Sequence, residues 1–198
     1  MKSKRIRLDA LGKAMAKKNL LLKKNARNLV FGKGNPHAAI VFIGEAPGER
    51  EDEQALPFVG TAGKTLDRLL HLIGFTLEDV YITNILKYRP PNNRNPRVEE
   101  IIDHTPYLIE QIKIIEPKAI VPLGNFATRF ILSGFNIEKM GTILGISKLH
   151  GQIKKINFEN YEFLVVPLYH PAAALYNPSL GKTLEKDIKN LKKIFQKN

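Results

Sequence analysis

The chain has 198 residues, of which 43% are hydrophobic and none is cysteine. This length allows one domain with a sizeable core, and no apolar run approaches the roughly 18 residues that a membrane-spanning helix needs. The lack of cysteine excludes disulfide bonds and any metal or iron–sulfur site held by thiolates. We therefore expect a cytoplasmic protein that does not bind a membrane.

The net charge of +12 is concentrated at the two ends of the chain. Residues 1–27 contain ten Lys and Arg against one acid, Asp9, whereas residues 182–198 contain six Lys against two acids. Basic ends favour a polyanionic partner such as nucleic acid, because each phosphate contact releases counterions. A surface selected only for solubility is the alternative, and we favour nucleic acid.

The first half of the chain alternates apolar strands with helical patterns. Residues 6–22 have a loose helical periodicity, and residues 38–44 (AAIVFIG) form a nearly continuous apolar strand. The segment GEAPGEREDEQALPFVG is predicted as a loop, followed by an amphipathic helix that begins near Thr61. A second strand, VYITNIL, covers residues 80–86.

The second half continues the alternation. A long helix is predicted from about Arg97 to just before Pro117, with Pro106 inside it, and is followed by the strand AIVPLG and the helix NFATRFIL. The segments GQIKKINF and YEFLVVPLY flank Glu159-Asn160 and indicate a hairpin. A basic amphipathic helix over residues 183–196 is expected to bury Leu184, Ile188, Leu191 and Phe195.

This order of elements predicts a parallel sheet with helices on both faces. Ligands of such sheets bind at the carboxyl ends of the strands. Four unusual polar segments follow the predicted strands: GEAPG, Asn84, Gly124-Asn125 and Tyr169-His170-Pro171. We expect them to lie along one edge of the sheet and to form the site.

The side chains expected at this edge are a carboxylate (Glu45), an amide (Asn84), a histidine (His170) and an aromatic ring (Phe58). The chain has no Gly-x-Ser-x-Gly elbow and no phosphate-binding loop, because GTAGKT has the wrong spacing. The five histidines show no metal-ligand spacing. An amide, an aromatic ring and a histidine on a basic protein are suited to a flat, neutral, hydrogen-bonding ring such as a nucleobase.

Several blocks of the sequence resemble the family 4 uracil-DNA glycosylases, the thermostable, iron–sulfur type. They occur in the family's order and spacing over about residues 17–195, and they are VFGKGNP, GEAPGEREDEQALPFVGTAGKTLDRLL, VYITNILKYRPPNNRNP, IVPLG and YHPAAALYNPSL. The resemblance implies a single domain over residues 1–198, with a three-layer α/β/α fold and a central, mainly parallel, four-stranded sheet. It also implies hydrolysis of the N-glycosidic bond of deoxyuridine in base-excision repair.

The resemblance assigns roles to individual residues. Phe58 would stack on the flipped uracil, and Asn84 would read the hydrogen-bonding edge of the base. His170 would donate a hydrogen bond to O2 of the leaving uracil. Glu45, together with Glu51, would position the attacking water and stabilise the cationic sugar.

Further contacts are implied around the base and along the DNA. Backbone groups of Gly44 and Ala46 would help to hold uracil. Lys87 and Arg89 would support the DNA backbone. The loop after His170 would press into the duplex through Pro171, Ala172, Ala173, Ala174 and Leu175.

The chain departs from the family at the four cysteines that hold a [4Fe–4S] cluster. Alignment through the shared blocks places Lys17, Leu20, Tyr88 and His104 at these positions. None is a thiolate, so we predict that the cluster is absent and that no cofactor or metal is used. We expect contacts of Leu20 and Tyr88 with their neighbours to replace the cluster as a tie between loops.

Two other functions remain open on the same fold. A non-catalytic or tight-binding uracil-DNA-binding protein need not retain all four pocket residues, and tight-binding relatives carry a basic, His-containing insertion that SGFNIEKMGTILGISKLHG lacks. Excision of deaminated purines would need a wider pocket. We favour a monomeric uracil-DNA glycosylase acting on single- or double-stranded DNA. The sequence leaves open whether the basic N-terminal segment contacts DNA or a sliding clamp.

Overall fold

The computed structural model describes residues 3–195, which form a mixed sheet of six strands with helices on both faces. The strands are β1 (Lys33–Gly34), β2 (Ile40–Gly44), β3 (Val80–Asn84), β4 (Ala119–Pro122), β5 (Lys154–Phe158) and β6 (Tyr161–Val165). Their order across the sheet is β1-β3-β2-β4-β6-β5. The four central strands are parallel, as predicted, and antiparallel β1 and β5 extend the sheet at its edges.

The described residues also form eight α-helices. They are α1 (Lys4–Lys17), α2 (Glu49–Gln54), α3 (Thr61–Leu72), α4 (Val98–Ile115), α5 (Asn125–Leu132), α6 (Ile146–Leu149), α7 (Ala173–Tyr176) and α8 (Pro178–Phe195). No helix within residues 3–195 is long and apolar enough to cross a membrane.

Two apolar layers enclose the sheet, and every residue of β2, β3 and β4 is buried. Side chains of α1, α4 and α5 pack on one face of the sheet, and those of α3 and α8 pack on the other. Two-sided burial explains why the central strands read as apolar runs and not as alternating patterns. The three layers agree with the predicted α/β/α architecture.

Several boundaries differ from the predictions. The segment predicted as one loop after β2 contains α2, whose short, acidic sequence has no apolar periodicity. Helix α1 ends at Lys17, so Leu22 lies outside it, with a positive φ of 72°. Helix α8 begins at Pro178, five residues before the predicted start at 183, because proline is compatible with a helix's first turn. The predicted helix end at residue 196 and the predicted burial of the Phe195 side chain lie outside what the structure describes.

Candidate functional site

A cavity of about 180 Å³ lies at the carboxyl ends of the central strands. Its lining residues come from the loop after β2, the start of α3, the end of β3 and the segment after β6: Ala46, Gly48, Glu51, Phe58, Ala62, Asn84 and His170. The cavity is of the size that admits one six-membered ring, since an engineered cavity of about 150 Å³ in another protein binds benzene. The structure thus brings together five of the predicted site residues: Ala46, Glu51, Phe58, Asn84 and His170.

Asn84 and Phe58, which line this cavity, pack against Gly44. Asn84 is the last residue of β3 and pairs in register with Gly44 on β2. A methyl group in place of the Gly44 hydrogen would lie only 2.7 Å from Cζ of Phe58 and would also overlap Oδ1 of Asn84. Gly44 therefore contributes space to the site, and its backbone carbonyl already accepts a hydrogen bond from the N–H of Ile85.

The Phe58 ring and the His170 ring lie on the same cavity, with centroids 5.9 Å apart. Phe58 adopts a positive φ of 52°, which is unfavourable for a residue with a bulky side chain. Its carbonyl oxygen packs so closely against Gly63 that a Cβ atom on residue 63 would overlap the oxygen. Packing at the start of α3 therefore holds the Phe58 backbone in a conformation that an isolated chain would avoid.

His170 is oriented by its own backbone. Its Nδ1 accepts a hydrogen bond from the N–H of Ala172 at 3.3 Å, so the proton of the neutral ring is on Nε2. Burial lowers the pKa of His170, against a smaller opposite effect of the Glu51 carboxylate. The side chain is therefore a neutral hydrogen-bond donor at neutral pH.

Two carboxylates have different environments at this edge. Oε1 of Glu51 accepts hydrogen bonds from the N–H groups of Val59 and Gly60, at 2.9 and 2.7 Å, and so fixes the loop that carries Phe58. Glu45 is half-buried, and burial raises the pKa of its carboxyl. Glu45 lines a second cavity of about 270 Å³, which shares Ala46, Gly48 and His170 with the first.

The second cavity contains residues that the sequence analysis missed: Pro90, Asn93 and Arg94. They lie in the Pro- and Asn-rich stretch after β3, in which DNA contacts were predicted only for Lys87 and Arg89. Ala62, in the first turn of α3, was missed as well. The small residues of GTAGKT were the available signal, because a larger side chain there would fill the first cavity.

The prediction that Lys87 faces the DNA is wrong. Its side chain is 0% exposed, and Nζ donates hydrogen bonds to the carbonyl oxygen of Asn84 and to Oγ1 of Thr83, both at 2.6 Å. Burial lowers the pKa of Lys87 well below its usual range. Arg89 remains partly exposed, with Nε donating to Oδ1 of Asn93 at 2.7 Å and Nη1 3.6 Å from a Glu49 oxygen.

The loop after His170 divides into an inner and an outer part. Pro171 is buried, so the prediction that it contacts DNA is not supported by its position, and Ala172 to Ala174 are partly buried. Leu175 is 47% exposed and the following Tyr176 is 88% exposed. Tyr176 is thus the most prominent side chain of the loop, although the sequence analysis did not name it.

The four positions aligned with cluster cysteines do not fit a thiolate-held cluster. The rings of Tyr88 and His104 are buried, with centroids 5.9 Å apart. Leu20 packs against the same apolar layer, whereas Lys17 is exposed at the end of α1. Within the described part of the chain, no group of three or more His, Cys, Asp or Glu side chains is placed to hold a metal ion.

These features define an α/β protein with a cavity of single-ring size at the carboxyl edge of a parallel sheet. The model of the uracil DNA glycosylase superfamily matches residues 31–197. The chain belongs to this superfamily.

Several relatives are named Type-4 uracil-DNA glycosylase. The protein of Saccharolobus solfataricus is 47% identical over 170 residues, covering 85% of this chain and 77% of that protein. The protein of Archaeoglobus fulgidus is 44% identical over 183 residues, or 92% and 90% of the two chains. The protein of Thermotoga maritima is 40% identical over 176 residues, or 87% and 86%. The similarity therefore extends over most of each chain.

Proposed function

We propose that this protein hydrolyses the N-glycosidic bond of a deoxyuridine flipped out of DNA, releasing uracil and leaving an abasic site in base-excision repair. One observation carries the proposal: Asn84, Phe58 and His170 line one cavity of single-ring size. Relatives that are 40–47% identical over most of the chain and are named uracil-DNA glycosylases support it.

Asn84 selects uracil by its hydrogen-bonding pattern. The amide oxygen accepts from N3–H of uracil and the amide NH₂ donates to O4. Cytosine presents the opposite pattern at both atoms, so a fixed amide leaves it with unpaired buried groups. Phe58 stacks on the face of the base. The single-ring cavity supports uracil over deaminated purines.

His170 stabilises the departing base. When the bond between C1′ and N1 breaks, its electron pair moves into the uracil ring and negative charge develops on O2. The Nε2–H of the neutral imidazole donates to this oxygen, a role of the oxyanion-hole kind. The lowered pKa of His170 supports this role, because the imidazole ring is uncharged at neutral pH.

Glu45 holds the attacking water at the sugar. The water oxygen forms the new bond to C1′, and Glu45 accepts its proton. The raised pKa of Glu45 makes its carboxylate a better proton acceptor than a solvated one. Glu51 fixes the loop of Phe58 through Oε1 and adds negative charge near the cationic sugar.

We propose that exposed residues at the same edge of the sheet contact the DNA duplex. Leu175 and Tyr176 fill the space left by the flipped base, resting on Pro171 and on Ala172 to Ala174. Arg89 and the basic segment 1–27 contact the phosphate backbone. We further propose a monomeric single domain over residues 1–198 that acts inside the cell on single- or double-stranded DNA. A sliding-clamp contact of the N-terminal segment stays a prediction.

We propose that the reaction proceeds without the family's iron–sulfur cluster, because this chain has no cysteine to hold one. The iron and sulfide content of purified, active protein tests this point. Stoichiometric iron and sulfide that are lost together with activity would contradict it.

The function is tested with oligonucleotides that carry U, C or T at one position, in single- and double-stranded form. After incubation, alkali cleaves abasic sites, and we expect strand scission at U alone. Asn84→Asp should abolish scission, whereas the matched variant Asn160→Asp, on the exposed hairpin tip, should not. Intact oligonucleotide with a shifted gel band would instead indicate a non-catalytic binding protein.

A further inference from the structure

Two lysines donate hydrogen bonds to the backbone of residues that line the base cavity. Lys87 is fully buried, and its Nζ donates to the carbonyl oxygen of Asn84 at 2.6 Å. Lys33, on β1, is partly buried, and its Nζ donates to the carbonyl oxygen of Phe58 at 2.9 Å. Each lysine therefore holds the backbone of one residue that lines the base cavity.

The Asn84 carbonyl needs such a partner because β3 ends at this residue. Lys87, three residues further along the chain, folds back to supply it. The second acceptor of Nζ is Oγ1 of Thr83, whose own proton goes to the carbonyl of Phe31 at 2.8 Å. The strand end is thereby tied to the segment before β1.

The Phe58 carbonyl is held from two sides. Lys33 donates to its oxygen, and the backbone of Gly63 packs closely against it. These contacts fix a residue whose φ of 52° is unfavourable for phenylalanine. Loss of the Lys33 contact would remove one of the restraints that hold the Phe58 backbone in this conformation.

We propose that Lys87 and Lys33 are positioning residues for base recognition, Lys87 acting through Asn84 and Lys33 acting through Phe58. The proposal rests on the proposed function and adds to it the groups that set the base-reading geometry. Neither lysine touches the base, so each should affect the reaction only while its partner side chain is present.

Double-mutant cycles test this pairing through single-turnover excision of uracil. Lys87→Met should lower the rate constant about tenfold in the wild-type background and have no effect in Asn84→Ala. Lys33→Met should lower it by a similar factor, with the effect lost in Phe58→Ala and retained in Asn84→Ala. Lys154→Met, on exposed β5, is the matched control and should leave the rate unchanged. Equal effects of either lysine in both backgrounds would overturn the proposal, since general destabilisation acts in this way.

Thr83→Val provides a second test should Lys87→Met not fold, because it removes the other acceptor of Nζ. We expect its effect on the rate also to disappear in Asn84→Ala. If the wild-type protein binds uracil-containing DNA without cleaving it, the same cycles are measured from dissociation constants.

Crystal structures of Lys87→Met and Lys33→Met give a measurement that does not depend on activity. We expect a displaced Asn84 amide in the first variant and a displaced Phe58 ring in the second. Unchanged side chains would overturn the positioning roles even if the proposed function holds. A wild-type protein that neither cleaves nor binds would refute that function and leave the displacements to decide the positioning roles.

Discussion

The base cavity, which includes Asn84, and the Tyr88–His104 contact differ in whether their buried polar groups have access to a hydrogen-bond partner. Asn84 is 2% exposed and yet faces a cavity, where a ligand can satisfy its amide. His104 is 0% exposed, and both of its ring nitrogens lack hydrogen-bond partners. The same kind of burial therefore indicates a binding site in one region and an energetic cost in the other.

This contrast separates function from stability in two regions of the molecule. Variants of the cavity should lower activity with little effect on folding, because their polar groups are arranged for a ligand. Variants of the Tyr88–His104 contact should alter folding with little effect on activity, because their rings are packed against the core. Each experiment below either strengthens this separation or breaks it.

The largest effect is expected for His170→Ala. Removal of the donor to uracil O2 should lower kcat by about 10²–10³. The free energy of unfolding should change little, because the ring borders a cavity. Single-turnover kinetics and urea unfolding measure the two quantities. If the free energy of unfolding fell by as much as the activation free energy rose, function and stability would not be separated at this residue.

Tyr88→Ala should show the opposite behaviour. Tyr88 is 3% exposed, and loss of a buried aromatic ring destabilises a protein by about 3–5 kcal/mol. Urea unfolding measures this loss, with the exposed Tyr176→Ala as the control for the same chemical change. Unchanged stability in Tyr88→Ala would disprove the idea that packing at this position replaces the tie of a cluster.

His104→Phe should stabilise the protein, most strongly in acid. Burial lowers the pKa of His104 from 6.5 to about 4. The unfolded chain therefore binds a proton that the folded chain does not between these values, and wild-type stability falls as pH decreases through this window. Over this window the free energy of unfolding of the wild-type protein should fall by about 3 kcal/mol, and this decrease should be absent in His104→Phe. Urea unfolding from pH 7 to pH 4 tests this, with the exposed His37→Phe as the control.

Glu45 should set the acid limit of activity. Burial raises its pKa, so its carboxylate gains a proton at a higher pH than the ordinary value of about 4.3. Activity should fall with decreasing pH starting above that value. In Glu45→Gln, the remaining activity should lack this acid limb, whereas Glu162→Gln on exposed β6 should retain it. The pH profile of kcat/KM is the measurement, and an identical profile in Glu45→Gln would assign the limb to another group.

The parallel core of the sheet was predictable because its strands are short, apolar and separated by helices. The rule that ligands bind at the carboxyl ends of such strands then selected Asn84, the loop after β2 and His170 before any family was considered. Phe58 was less specific, since an aromatic residue in a loop packs into the core as readily as it lines a cavity. Its positive φ follows from packing at Gly63, which no local pattern reveals.

The sequence by itself determined the layered α/β architecture, the lack of thiolate ligands and the residue types at the sheet edge, because these depend on periodicity and composition. Only the tertiary structure decided the direction of individual side chains. Lys87 and Arg89 are both basic and two residues apart, yet one is buried beneath Asn84 and the other is partly exposed. A lysine's long stem reaches solvent or a buried carbonyl equally well, so its orientation depends on which acceptors the fold leaves without partners.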